Sequence, residues 1–180
     1  MTEADFQALS QTGYTRVPVV LEARADLYTP LAVYLKLANG PLTYLLESVV
    51  GGERFGRYSF IGLACAERIE ARAGVVRRYL REARGKDVCI ETAGTENSPA
   101  DPFEYVRGYL ARQHVAPVPA ALRFGGGLVG YFGYETVRHV EPTALRPVNA
   151  TMGAPKPDAI GTPDLLLLVS DELAVVDNVL

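Results

Sequence analysis

Polar and apolar positions change rhythm several times along this chain. Residues Ala4 to Leu9 put Phe6 and Leu9 on one side of a short amphipathic helix. Arg16 to Leu21 reads as a strand, with Pro18 marking an edge or a bulge because it has no N–H to donate. Thr29 can cap a second helix and Pro30 suits its first position. Leu31, Tyr34, Leu35 and Ala38 then recur at helical spacing until Gly40 and Pro41 stop it. A meander follows. Thr43–Val49, Tyr58–Ala71, Val75–Arg81 and Asp87–Thr92 read as strands, and the short turns at Gly51–Gly52, Gly74 and Arg84–Gly85 favour antiparallel pairing. Gly94 to Ala100 is polar and reads as a mobile loop.

Asp101-Pro102-Phe103-Glu104 is a helix start, with Asp101 as cap and Glu104 able to reach back as in a capping box. Phe103, Val106 and Leu110 would form its apolar face, and the helix would end near Gln113. Val115–Ala120 is a connector, Leu122–Val129 a strand, and Tyr131–Val140 a short helix or turn. Glu141 to Pro163 holds five prolines and little periodicity, which reads as a long loop. Asp164–Ser170 and Leu173–Val179 look like a hairpin about Asp171–Glu172. A last strand there would leave an open edge, so the natural polypeptide is expected to continue.

The 180 residues, 48% hydrophobic and 22% charged, suit a soluble globular chain with one sizeable core. A net charge of −3 gives no electrostatic reason to expect nucleic acid. Arg77, Arg78, Arg81 and Arg84 lie near Glu82 and Asp87, and read as a solvated surface. Cys65 and Cys89 match no metal or redox spacing and sit in apolar runs. Both are expected to be buried free thiols, which suits a reducing cytoplasm. No secretion signal is visible. The aliphatic run Leu165–Val169 is far shorter than the roughly 20 residues a membrane helix needs, so no membrane partner is expected.

Three stretches invite a chemical reading. Gly125, Gly126, Gly127, Gly130 and Gly133 lack the spacing, the lysine and the βαβ setting of a phosphate loop. Close backbone packing around Tyr131, Phe132 and Tyr134 explains them better. His114 and His139 have no partner at metal-ligand spacing, and no Ser-His-Asp elbow is present. Glu47–Ser48 closes an apolar run just before Gly51–Gly52. It could be a plain strand end, with Ser48 bonded to the turn and Glu47 in solvent. It could instead be a small polar site, Glu47 accepting from a ligand ammonium and Ser48 bonding a second polar group, with Leu45, Leu46 and Val49 as apolar walls. The residues alone leave both readings open.

The stretches LLES (Leu45–Ser48) with GGERFGRYSFIG (Gly51–Gly62), GGLVGYFGYETVRHVE (Gly126–Glu141) and PDLLLLVSDELAVVDN (Pro163–Asn178) occur in this order. Together they resemble the N-terminal region of anthranilate synthase component I, across nearly the whole chain. Aminodeoxychorismate synthase component I shares much of the pattern. The resemblance implies an α+β fold: antiparallel sheets packed face to face with helices outside, an incomplete part of a larger sandwich. It implies that residues 1–180 are the regulatory and structural region, and that the C-terminal chorismate-binding domain is absent.

The resemblance also implies that LLES lines an allosteric site where L-tryptophan inhibits. Glu47 and Ser48 would be its polar contacts and Leu46 its wall, with Tyr58 and Ser59 as second contacts. The intact protein would convert chorismate and ammonia to anthranilate and pyruvate, with Mg²⁺ and a glutamine amidotransferase subunit. The catalytic and Mg²⁺-binding residues would lie outside this chain, which alone is expected to be inactive. The alternatives are the aminodeoxychorismate homologue and a stand-alone small-molecule binding module.

Overall fold

Local chemistry sets the helices. The computed structural model describes residues 1–47, 56–118, 122, 124–141 and 160–178, the side chains of Glu135 and Arg138 excepted. The expected turn at Gly51–Gly52 and residues 142–159 of the expected long loop lie outside these. Helix α1 is Glu3–Ser10. Thr2 Oγ1 accepts from the Asp5 N–H at 3.2 Å, and the Asp5 carboxylate accepts from the Thr2 N–H at 2.9 Å, a reciprocal cap. Helix α2, Pro30–Leu37, begins as expected, with Thr29 Oγ1 accepting from the Ala32 N–H at 3.1 Å. Helix α3, Pro102–Ala111, is capped by Asp101 Oδ1, which accepts from the Phe103 N–H at 2.8 Å. Glu104 pairs forward with Arg107. Pro102 and Tyr109 are buried on α3 while Leu110 is half exposed, so the inward stripe runs one residue off the expected one. A 3-10 turn at Tyr134–Thr136 leads into the short α4, Val137–Val140.

The strands are β1 Tyr44–Leu46, β2 Tyr58–Gly62, β3 Glu67–Arg72, β4 Val75–Arg81, β5 Asp87–Ala93, β6 Gly127–Phe132, β7 Leu165–Ser170 and β8 Leu173–Asp177. They form a three-stranded sheet in the order β1-β2-β8 and a five-stranded sheet in the order β5-β4-β3-β7-β6. The pairs β1–β2, β2–β8, β3–β4 and β4–β5 are antiparallel. With the helices this is an α+β fold built on antiparallel sheets.

The chain divides into two units. The first is Met1–Ala66, Gly108–Leu128 and Val169–Leu180; the second is Glu67–Arg107 and Val129–Leu168. Ile61, Cys65, Tyr109, Ala116 and Val169 are buried in the first. Ile69, Ala71, Val76, Leu165 and Leu167 are buried in the second. Each large aliphatic side chain removed from water in this way contributes about 1.5–3 kcal/mol.

Four strand expectations need correction. Arg16 makes only an isolated bridge to Val115, and residues 17–21 form no strand. Pro18 cannot donate to a ladder, and Val19 and Leu21 are exposed, so nothing rewards pairing there. The run Tyr58–Ala71 is two strands, because the Leu63 N–H donates to Glu172 O and the Cys65 N–H to Leu42 O, taking the backbone out of a straight ladder. The expected hairpin about Asp171–Glu172 is absent: β7 and β8 belong to different sheets. Asp171 pairs with Arg16 and Glu172 O accepts from Leu63, so the short link changes sheets instead of folding back. Finally, β6 begins at Gly127 where Leu122 was expected, because Gly126 and Gly127 have φ of +108° and +132°, which breaks extended structure before them. The strand then runs through Tyr131 and Phe132.

The glycine packing read from the sequence takes a particular form. A Cβ on Gly130 would lie 1.9 Å from Leu166 O, so the strand backbone fits there only without a side chain. Phe132 and Tyr134 are exposed. The segment expected to be a mobile loop, Gly94–Ala100, is a turn closed by paired Thr95 and Ser98 bonds, and the Ala100 N–H donates to Gly74 O. Cys65 is buried but Cys89, on β5 at the edge of the larger sheet, is exposed.

Candidate functional site

Strand β1 ends at Leu46, and Glu47 follows it as the last described residue before the connection to β2. Thr43 to Val49 is therefore not one long strand. Ser48, the second residue of the candidate pair, lies outside the described residues. Leu46 pairs with Phe60 and Leu45 with Ile61. Since side chains alternate along a strand, Leu46, Tyr58 and Phe60 share one face, and Ser59 and Ile61 take the other. The Tyr58 and Phe60 rings lie 6.4 Å apart on that shared face, and Phe124 meets Phe60 edge-on at 5.8 Å. Leu46 is 48% exposed and Glu47 is also exposed, whereas Ser59 is 0% exposed.

Ser59 is held by a residue that no sequence pattern singles out. Asn178 Nδ2 donates to Ser59 Oγ at 3.2 Å and to Gly56 O at 3.1 Å. Next to it, Asp177 accepts from Arg57 Nε at 3.0 Å and Arg57 Nη2 at 2.7 Å. The Asp177 hydrogen bonds hold the Arg57 guanidinium above its ordinary range. The Arg57 guanidinium carbon lies 5.0 Å from the Tyr58 ring centre. Asp177 is the register partner of Tyr58, and the Asn178 N–H donates to Arg57 O at 2.7 Å. These residues are about 120 positions apart, so no local signal could have paired them.

A second buried polar group lies in the same unit. Tyr44 OH and Ser170 Oγ are 2.7 Å apart, and Ser170 is fully buried. Burial pushes the Tyr44 phenol up, although the Ser170 hydrogen bond opposes the shift. Burial, helped by the Asp171 carboxylate, pushes the Cys65 thiol up to about 11, so it stays protonated and inert at neutral pH. The Tyr44 ring occupies the space a Cβ on Gly62 would need, which explains that glycine.

The described residues hold two shallow clefts away from the candidate side chains. One is lined by Met1, Thr2, Glu3, Phe6 and Val19, the other by Met1, Pro18, Val20, Pro117 and Val118. Among the described residues there is no group of three or more His, Cys, Asp or Glu that could hold a metal ion. Nor is any helix among them long and apolar enough to cross a membrane.

This geometry is a small antiparallel sheet with a polar strand end and an apolar face. The chain is 49% identical over 180 residues to anthranilate synthase component 1 of Neisseria meningitidis serogroup C / serotype 2a, covering 99% of this chain and 33% of the relative. It is 46% identical over 179 residues to the Pseudomonas aeruginosa protein of the same name, and 32% identical over 165 residues to that of Acetivibrio thermocellus. No family model matches it. Along nearly its whole length the chain is thus similar in sequence to the N-terminal region of anthranilate synthase component 1, and it spans about a third of the length of these curated relatives.

Proposed function

We propose that this chain is the N-terminal regulatory region of an anthranilate synthase component 1, and that the end of β1 and the start of β2 form part of its tryptophan-binding feedback site. Sequence identity with proteins of that name across 99% of the chain carries the reading. The structure adds consistent chemistry. Leu46 and Tyr58 offer apolar surface on one face, and Glu47 offers a carboxylate for an ammonium group at the strand end. Ser59 supports the site from behind, because its hydroxyl is buried against Asn178.

The intact cytoplasmic protein would convert chorismate and ammonia to anthranilate and pyruvate, with Mg²⁺ held by a chorismate-binding domain beyond these residues and ammonia supplied by a glutamine amidotransferase subunit. Tryptophan would favour an arrangement that binds substrate poorly, a coupling typically worth about 1–3 kcal/mol. The test is Ser48→Phe in the full-length enzyme. Tryptophan inhibition should weaken by at least tenfold while uninhibited turnover persists. Unchanged inhibition would remove the site assignment. Release of aminodeoxychorismate without pyruvate would reassign the enzyme.

A further inference from the structure

The connection between β1 and β2 has two roots. One is Leu46–Glu47, at the end of β1; the other is Gly56–Arg57, just before β2. The second root is tied to the end of β8 by several polar groups. Asn178 grips Gly56 O and Ser59 Oγ through its amide and Arg57 O through its backbone. Asp177 takes a two-pronged bond from Arg57, whose guanidinium lies 5.0 Å from the Tyr58 ring centre. Four consecutive residues, Gly56 to Ser59, are thus fixed by two.

We propose that Arg57, Asp177 and Asn178 form a clasp that positions the ligand-contacting start of β2, and that the clasp sets the affinity for an aromatic amino acid without touching it. The inference rests on the tryptophan-site reading and assigns positioning residues within it. Its chemistry differs from simple strand pairing. Ladder bonds between β2 and β8 fix the backbone of Tyr58 to Gly62, whereas Gly56 lies before the ladder and is fixed by a side-chain amide. Losing Asn178 would leave the buried Ser59 hydroxyl without this donor and free the root. Losing the Arg57–Asp177 pair would let the guanidinium leave the Tyr58 ring.

The experiment measures tryptophan affinity by calorimetry and melting temperature in the full-length protein, for wild type, Asn178→Ala, Asp177→Ala, Arg57→Lys and two controls. Val176→Ala lies on the same strand opposite Ser59 but outside the clasp. Glu47→Ala tests the site itself. Asn178→Ala and Asp177→Ala should weaken tryptophan at least tenfold. Arg57→Lys, which keeps a cation for Asp177 but not the two-pronged bond, should fall between these variants and wild type. Val176→Ala should lower the melting temperature with affinity unchanged. If Val176→Ala weakens tryptophan as much as Asn178→Ala does, or if both clasp variants bind like wild type while Glu47→Ala does not, the clasp is overturned and the site survives. A wild-type protein that binds no tryptophan overturns both.

Discussion

The two units fill the polar positions of their strands differently. In the first, small hydroxyls enter the core: Ser59 and Ser170 are fully buried, each held by one side chain from a distant part of the sequence, Asn178 or Tyr44. In the second, charges line both faces of β3, β4 and β5. On one face Arg78 joins Glu67 and Glu91, each at 3.0 Å. On the other, Arg68 bonds Glu70 at 2.6 Å and Asp87 at 2.9 Å, with its guanidinium 4.5 Å from the Tyr79 ring centre. Burial pulls the Arg68 guanidinium down, but its two carboxylate partners more than reverse this and hold it above its usual range. The arginines that read as a loose solvated cluster are thus partly cross-strand partners. A buried hydroxyl needs one well-placed partner, while a half-buried guanidinium needs several.

This contrast can be broken from either side. The largest effect is expected at Gly130 in the second unit. Gly130→Ala drives a Cβ into the Leu166 backbone, which cannot yield, and should cost about 3 kcal/mol or more in a denaturant titration. In the first unit, Ser170→Ala removes the partner of the half-buried Tyr44 hydroxyl and should cost about 1–3 kcal/mol, whereas Tyr44→Phe combined with it should recover part of that loss.

Alkaline pH should act on the first unit next. The folded Cys65 thiol titrates near 11 against an ordinary 9.0, so the fold holds its proton more tightly than the unfolded chain does. That stability is whole below pH 9 and is lost as pH rises through 11. Cys65→Ala should flatten the melting-temperature profile over that window, although Tyr44, shifted in the same direction, will leave a residue of it. An Ellman titration of the native protein at pH 8 should count one fast thiol, Cys89.

Salt acts on the second unit instead. One molar sodium chloride should remove no more than about 1 kcal/mol from the ion pairs, and Arg68→Met should abolish part of that sensitivity. The smallest effect, and a gain, is expected at the β3–β4 turn. Ala73 and Gly74 both have positive φ, +47° and +75°, a geometry that favours Asn-Gly. Ala73→Asn should stabilise by about 0.5 kcal/mol in the same titration.

Helix starts were legible in the sequence because a cap is a local event: Thr29 with Pro30, and Asp101 with Pro102, announce themselves within a turn. Strands β4 and β5 were legible for the same reason, joined by short turns. Sheet membership was not. Alternation tells which face a side chain takes but not which sheet a strand joins, so 58–71 read as one strand and 164–179 as a hairpin. At the candidate site, Glu47 and Ser48 stood out as polar residues ending an apolar run. Asn178 gave no such sign, since its role depends on Ser59, which sits 119 positions away.

The β2–β8 pairing has a kinetic side. Strands β3, β4 and β5 are sequential neighbours and can zip together from their turns, whereas the start of β2 must find the end of β8 across about 120 positions. Such distant pairing is slow to form. A nascent chain emerging from the ribosome would hold β2 with one bare flank until residues 173–177 appear, so a stall in translation before that point leaves an adhesive strand waiting, and chaperone demand should peak there.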